Sequence, residues 1–240
     1  MHFSSREYRL DVPDSAASFR ACGTTQPLVA ATSSEESSPT LSIVGVRMGT
    51  INKKGKLTTN PDLGGYLTIQ EFEEFVDELD ELARARREQF GKTSYDNDVW
   101  TIPIANQELQ EDISSDLWVI QEPTVRMYNS FRAVRGHQDP PTDCADEEEW
   151  WMDMGRQYFE TATLTFKRTP FLTDNGYLGM GPRYLQEGDI VVIFLGAGLP
   201  HIIREAESGL YELVGEAYVQ GVMQGEFMES EPKPETFILR

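Results

Sequence analysis

Residues 69–90 carry the clearest periodic signal in the chain. Phe72, Phe75, Val76, Leu79 and Leu82 recur at helical spacing and form one apolar stripe with acids between them. Acidic residues crowd the first turns, and Arg84, Arg86 and Arg87 stand near the end. Both placements suit the helix dipole, and Gly91 supplies a stop. Weaker patterns predict helices over 106–120 and 124–135. The stretch GHQDPPTD (136–143) breaks the chain. A further helix is predicted from Asp143 to Phe166, with Trp150 or Trp151, Met154, Tyr158 and Ala162 along one side.

Elsewhere the pattern is that of strands. LSIVGVRMGTI (41–51) predicts a strand, and KKGK a turn after it. After residue 166 short apolar runs alternate with turn signals. RTPFLT and YLGM flank DNG, whose Asn175-Gly176 pair is a favoured hairpin turn. EGD (187–189) precedes the buried-looking strand IVVIFL; HIIRE and LYELVGEAYV follow, separated by ESG. The predicted fold class is α+β, a helical region followed by a small antiparallel β-sheet or partial barrel. The expected division is a flexible N-terminal segment over 1–40, a mainly helical region over 41–166, a β-unit over 167–228 and a tail over 229–240. The loop character of 26–40, QPLVAATSSEESSPT, comes from its Ser, Thr and Pro content.

Composition narrows the function classes. The chain has 240 residues, 39% of them hydrophobic, enough to bury a sizeable core. A net charge of -19 argues against nucleic acid and anionic membrane as partners, since both favour a basic surface. No apolar run reaches the ~18 residues of a membrane span. Cys22 and Cys144 lie far apart with no pairing pattern, which fits a reducing compartment. The N-terminus MHFSSREYRLDVPDS lacks the layout of a signal peptide. The expectation is a cytoplasmic protein.

The residues offer three candidate chemistries. NPDLGGYLTIQEF (60–72) resembles an EF-hand loop, with Asp62, Gly65, Thr68 and Glu71 at positions 3, 6, 9 and 12 counted from Asn60. Asn60 and Gly64 withhold two expected ligands, Pro61 stiffens the loop and no helix leads into it. The same residues read better as a capping box, Thr68-Ile-Gln-Glu71, with Leu67 and Phe72 as its hydrophobic staple. A degenerate calcium-binding regulator is the first alternative. A cysteine-dependent hydrolase, pairing Cys144 with His137 or Cys22 with His201, is the second. The glycines of GYLGMGP lack the Lys-Ser/Thr of a phosphate loop and read as turn formers. DEEEWW (146–151) reads as the acidic start of a helix. No catalytic, metal or cofactor residue is assigned.

The tail is more distinctive than any of these. TDNGYLGMGP, EGDIVVIFLGAGLPHIIRE and YELVGEAYVQGVMQGE resemble the C-terminal region of fungal heterokaryon incompatibility (HET domain) proteins. Gly179, Gly181, Pro182, Gly188, Asp189, Pro200, Arg204, Gly215, Glu216, Tyr218, Gly221, Met223, Gly225 and Glu226 occupy the positions of that pattern. FRACGTT (19–25), SIVGVRMGTI (42–51) and DVWTIPIAN (98–106) are weaker echoes upstream. A HET domain would precede residue 19, so the expectation is the C-terminal region lacking the HET domain itself. The resemblance implies a nonenzymatic recognition or regulatory module with a protein partner, in self/nonself recognition or programmed cell death. Physically the motif reads as fold maintenance, with Arg204 and Glu216 placed to pair across neighbouring strands.

Overall fold

The computed structural model describes residues 19–27, 29–33, 40–56, 68–96, 99–112, 117–121, 125–134, 148–163, 165 and 168–240. In chain order the elements are β1 (Val29–Ser33), β2 (Thr40–Lys54), α1 (Ile69–Phe90), β3 (Glu108–Asp112), β4 (Leu117–Gln121), α2 (Val125–Val134) and α3 (Glu148–Thr163). Then follow β5 (Arg168–Thr173), β6 (Leu178–Pro182), β7 (Ile190–Phe194), β8 (His201–Glu205), β9 (Tyr211–Glu216), β10 (Tyr218–Val219) and β11 (Glu235–Leu239). The chain divides into two compact units, one drawn from 103–166 and one from 19–102 with 167–240.

The larger unit is a barrel with an appended sheet. Its strands run β10-β6-β5-β2-β11-β9-β8-β7, with β1 also on β2, and a further β2–β7 pairing closes β2, β11, β9, β8 and β7 into a ring. β2 belongs to both halves. Its residues Gly45–Thr50 pair with β7, and Ile51–Lys54 pair with β5. Irregularities between Arg47 and Gly49 and between Ile51 and Lys53 break the register, as bulges do where a strand bends from one sheet to the next. The ring's interior is filled by side chains. Ile190, Val192 and Phe194 of β7 meet Ile203, Phe237 and Leu239, with Leu41, Ile43 and Tyr211 packed against them. The Phe237 ring stands edge-on to Phe194 at 5.9 Å and to Tyr211 at 5.4 Å, a favoured aromatic geometry.

Helix α1 belongs to the same unit and lies against β5 and β6. Its predicted stripe is buried at Phe72, Val76, Leu79 and Leu82. The predicted cap is present in both directions. Thr68 Oγ1 accepts from Glu71 N at 3.2 Å, and Thr68 N donates to Glu71 Oε2 at 2.8 Å. Arg86, expected near the dipole end, continues the stripe instead and is 4% exposed. It stands seven residues after Leu79, on the same face.

In the smaller unit, α2 and α3 pack together, with Tyr158 against Tyr128 at 5.6 Å and Phe131 at 5.7 Å. Several sequence expectations are corrected: residues 26–40, expected as a loop, contain β1, and 41–166, expected as mainly helical, contain β2, β3 and β4. Residues 106–120, expected as a helix, contribute instead to an antiparallel pair, β3 with β4, in the register Leu109↔Ile120 and Glu111↔Trp118. Leu109, Ile113, Leu117 and Ile120 mimic helical spacing, but the Trp-Val-Ile run favours a pleated strand. Residues 229–240, expected as a tail, contain β11, antiparallel to β2 and parallel to β9. The alternation of Phe237 and Leu239 buries one face of that strand in the barrel. The described residues therefore form an α+β structure with a partial barrel. That barrel takes strands from both ends of the chain.

Candidate functional site

The tail motif converges on the joints of the barrel unit. Asp189 lies in the turn before β7, where Gly188 adopts φ 96°. Asp189 is 1% exposed, and its carboxylate is fully engaged. Oδ1 accepts from Arg204 Nε at 2.7 Å, while Oδ2 accepts from Arg204 Nη2 at 2.9 Å and from the Gln186 backbone N–H at 2.7 Å. Arg204 Nη2 also donates to Tyr184 O. The Asp189 backbone meets the irregular part of β2, its carbonyl accepting from Ile51 N at 2.8 Å. Hydrogen bonding to Asp189 raises the Arg204 pKa. The partner of Arg204 is thus Asp189 and not Glu216. Register explains the correction: β8 and β9 set Arg204 opposite Glu212 and set Glu216 opposite His201. The Glu216 carbonyl instead accepts from Arg168 Nη1 at 2.6 Å.

The glycines mark close approaches. A Cβ on Gly179 would stand 2.3 Å from Tyr218 O, where β6 meets β10. Gly221 has φ 75°, and a Cβ there would enter the Tyr95 ring at 2.4 Å. Both positions therefore select glycine. Gly181 faces Ile202 and Leu185, Gly215 lies over Pro182, and Gly225 abuts Gly23. Tyr218 donates to Gln220 Oε1 at 2.9 Å, as does Thr101 Oγ1, and all three side chains are buried. Glu226 Oε2 accepts from Gln224 N at 2.8 Å, closing a local turn. Pro200 and Met223 serve the same joints: the Pro200 carbonyl accepts from Ala217 N, and Met223 O from Arg20 N.

The residues of the alternative readings fall as follows. Asp62, Cys144 and His137 lie outside the described residues, as do the side chains of Trp150 and Trp151. Glu71 Oε2 is committed to the Thr68 cap. The buried Cys22 thiol points at the Gly23 carbonyl, and the His201 ring packs on Phe194 at 5.2 Å. Among the described residues no hydrogen bond joins Cys22 to His201. Burial pushes the His201 pKa down, against Glu216 and the Leu199 backbone, which pull it up.

Two features of this unit escape sequence reasoning. Arg86 Nη1 stands 3.9 Å from Asp96 Oδ1 inside the fold, with both side chains nearly inaccessible. Burial lowers the Arg86 pKa, and Asp96 opposes this. The only sequence signal is the position of Arg86 on an otherwise apolar stripe. The second feature is a groove of 640 Å³ between the end of β2 and α1, lined by residues including Lys53, Lys54, Lys56, Glu74, Glu78 and Glu81. KKGK announced the basic side only as a turn.

The barrel's interior is packed with side chains, and its motif residues brace its joints. The chain belongs to the Het-6 beta-barrel domain family, whose model matches residues 39–239. It is similar to heterokaryon incompatibility protein 6, OR allele, of Neurospora crassa, at 36% identity over 107 residues. That similarity covers 40% of this chain and 16% of the relative's length. No solved structure matches the chain. No helix among the described residues is long and apolar enough to cross a membrane.

Proposed function

We propose that this chain is a nonenzymatic recognition or regulatory module, acting in the cytoplasm through contact with a protein partner in fungal heterokaryon incompatibility. The family match over 39–239 carries this reading, and the similarity to an incompatibility protein supports it. Physical support comes from the filled ring. Phe237 is fully buried at its centre, so a partner meets the outer faces rather than a deep cavity. The motif residues hold strands together, with Asp189 fully engaged and Arg204 bonded through Nε and Nη2.

The test is expression of the chain in Neurospora crassa strains that do and do not carry the OR allele of the relative. The expected result is a change in heterokaryon growth or cell death that depends on the strain's allele. Stable expression with no allele-dependent change in either readout would overturn the proposal.

A further inference from the structure

The groove between β2 and α1 has rims of opposite sign. Lys53, Lys54 and Lys56 stand on the strand side, and Glu74, Glu78 and Glu81 on the helix side. Among the described residues no salt bridge closes across it between these lysines and these glutamates. Glu78 adds a sharper observation. Its Oε2 is buried without a hydrogen-bond partner and packs close to where a Cβ on Gly55 would stand. Burial raises the Glu78 pKa, while the Lys56 backbone N–H and ammonium oppose the rise. An unsatisfied buried carboxylate oxygen costs free energy.

We propose that this groove docks an extended peptide segment in which basic and acidic side chains alternate. Its cations meet Glu74, Glu78 and Glu81, and its carboxylates meet Lys53, Lys54 and Lys56. The geometry supplies the argument. An extended chain sends successive side chains to opposite sides. Alternating charges therefore reach opposite rims at once, whereas a uniformly basic segment would set cations against the lysines. The net charge of -19 draws any basic peptide to the surface, but only the two rims distinguish one arrangement of charges from another. The inference rests on the reading of this chain as a protein-recognition module and names the kind of segment it recognises.

The experiment is fluorescence anisotropy at low salt with the full chain and three labelled decapeptides: alternating Lys-Glu, a block of lysines followed by a block of glutamates, and oligolysine. The alternating peptide is expected to bind about tenfold tighter than either control, with affinity falling as salt rises. Lys54→Glu and Glu81→Lys, both on the rims, are each expected to weaken it about tenfold while leaving the melting temperature unchanged. Glu78→Gln should weaken it less, because an amide oxygen still accepts a hydrogen bond. Oligolysine binding as tightly as the alternating peptide would overturn the inference. So would binding indifferent to Lys54→Glu, or no binding by any of the three. If the Lys54→Glu, Glu81→Lys double variant keeps the allele-dependent response in Neurospora while no peptide binds, the groove inference falls and the functional proposal stands. Loss of that response in the parent chain would remove the proposal itself.

Discussion

Asp189 and Arg204 are 15 positions apart, and their pairing fixes two strands and a turn at one point. The carboxylate is inaccessible, and its hydrogen bonds come from the guanidinium and the Gln186 N–H. Arg204→Met leaves a buried carboxylate without its counterion and is expected to cost about 2–4 kcal/mol by urea unfolding. Arg204→Lys should cost less than Met but more than nothing, since an ammonium keeps the charge and loses the two-pronged geometry. His201 makes a prediction in pH. Its folded pKa lies below its ordinary value because burial disfavours the charged ring. The unfolded chain therefore takes the proton first. Stability is complete above about pH 6.5 and falls as pH drops below it toward the folded pKa. Glu78 acts in the opposite sense. Its raised pKa makes the ionised form costly near neutrality, and that cost fades as pH falls through the folded value. His201→Leu is expected to flatten the decline just below about pH 6.5 in urea midpoints measured against pH.

At the scale of elements, α1 shows how local chemistry places a helix. Its start is set by the reciprocal Thr68–Glu71 cap, and its end by Gly91, whose N–H donates to Arg87 O at 2.9 Å. Thr68→Ala removes one half of the cap and should lower stability by about 1 kcal/mol, read as a shift in unfolding midpoint with the slope unchanged. The DNG hairpin is equally local: Thr173 N donates to Tyr177 O, and Gly176 takes φ 91°. It also does something no local pattern states. Asp174 Oδ1 accepts from Thr50 N at 2.9 Å, so the turn grips β2 across the sheet. The β3–β4 pair shows the reverse case, where helical spacing of four apolar residues competes with the strand preference of Trp118, Val119 and Ile120.

For the whole molecule, the decisive event is ring closure by β11. This strand sits between β2 and β9, more than 180 residues from its Ile43 partner at Phe237. Arg47 Nε meets Glu235 at 3.1 Å and Arg240 Nη2 meets Glu212 at 2.6 Å, but both pairs are exposed and add little. Phe237 and Leu239 supply the stabilising burial. A chain ending after Ser230 would leave β2 and β9 with unpaired edges and open the barrel core to solvent. It is expected to lose its single cooperative unfolding transition and to bind a hydrophobic dye such as ANS. Retention of cooperative unfolding by that truncated chain would show that the ring does not depend on β11.

The sequence by itself determined the local pieces: the α1 stripe and cap, the Asn175-Gly176 turn, the burial of β7 and the glycine pattern of the tail. Each is written in residues within a few positions of one another, where backbone sterics and side-chain periodicity act directly. Tertiary structure alone decided that β2 bends from ring to sheet, that Asp189 rather than Glu216 takes Arg204, that Arg86 turns inward and that the last residues complete the barrel. Those outcomes depend on register and closure between distant segments. Many pairings satisfy the same local pattern there, and only the packed whole selects one.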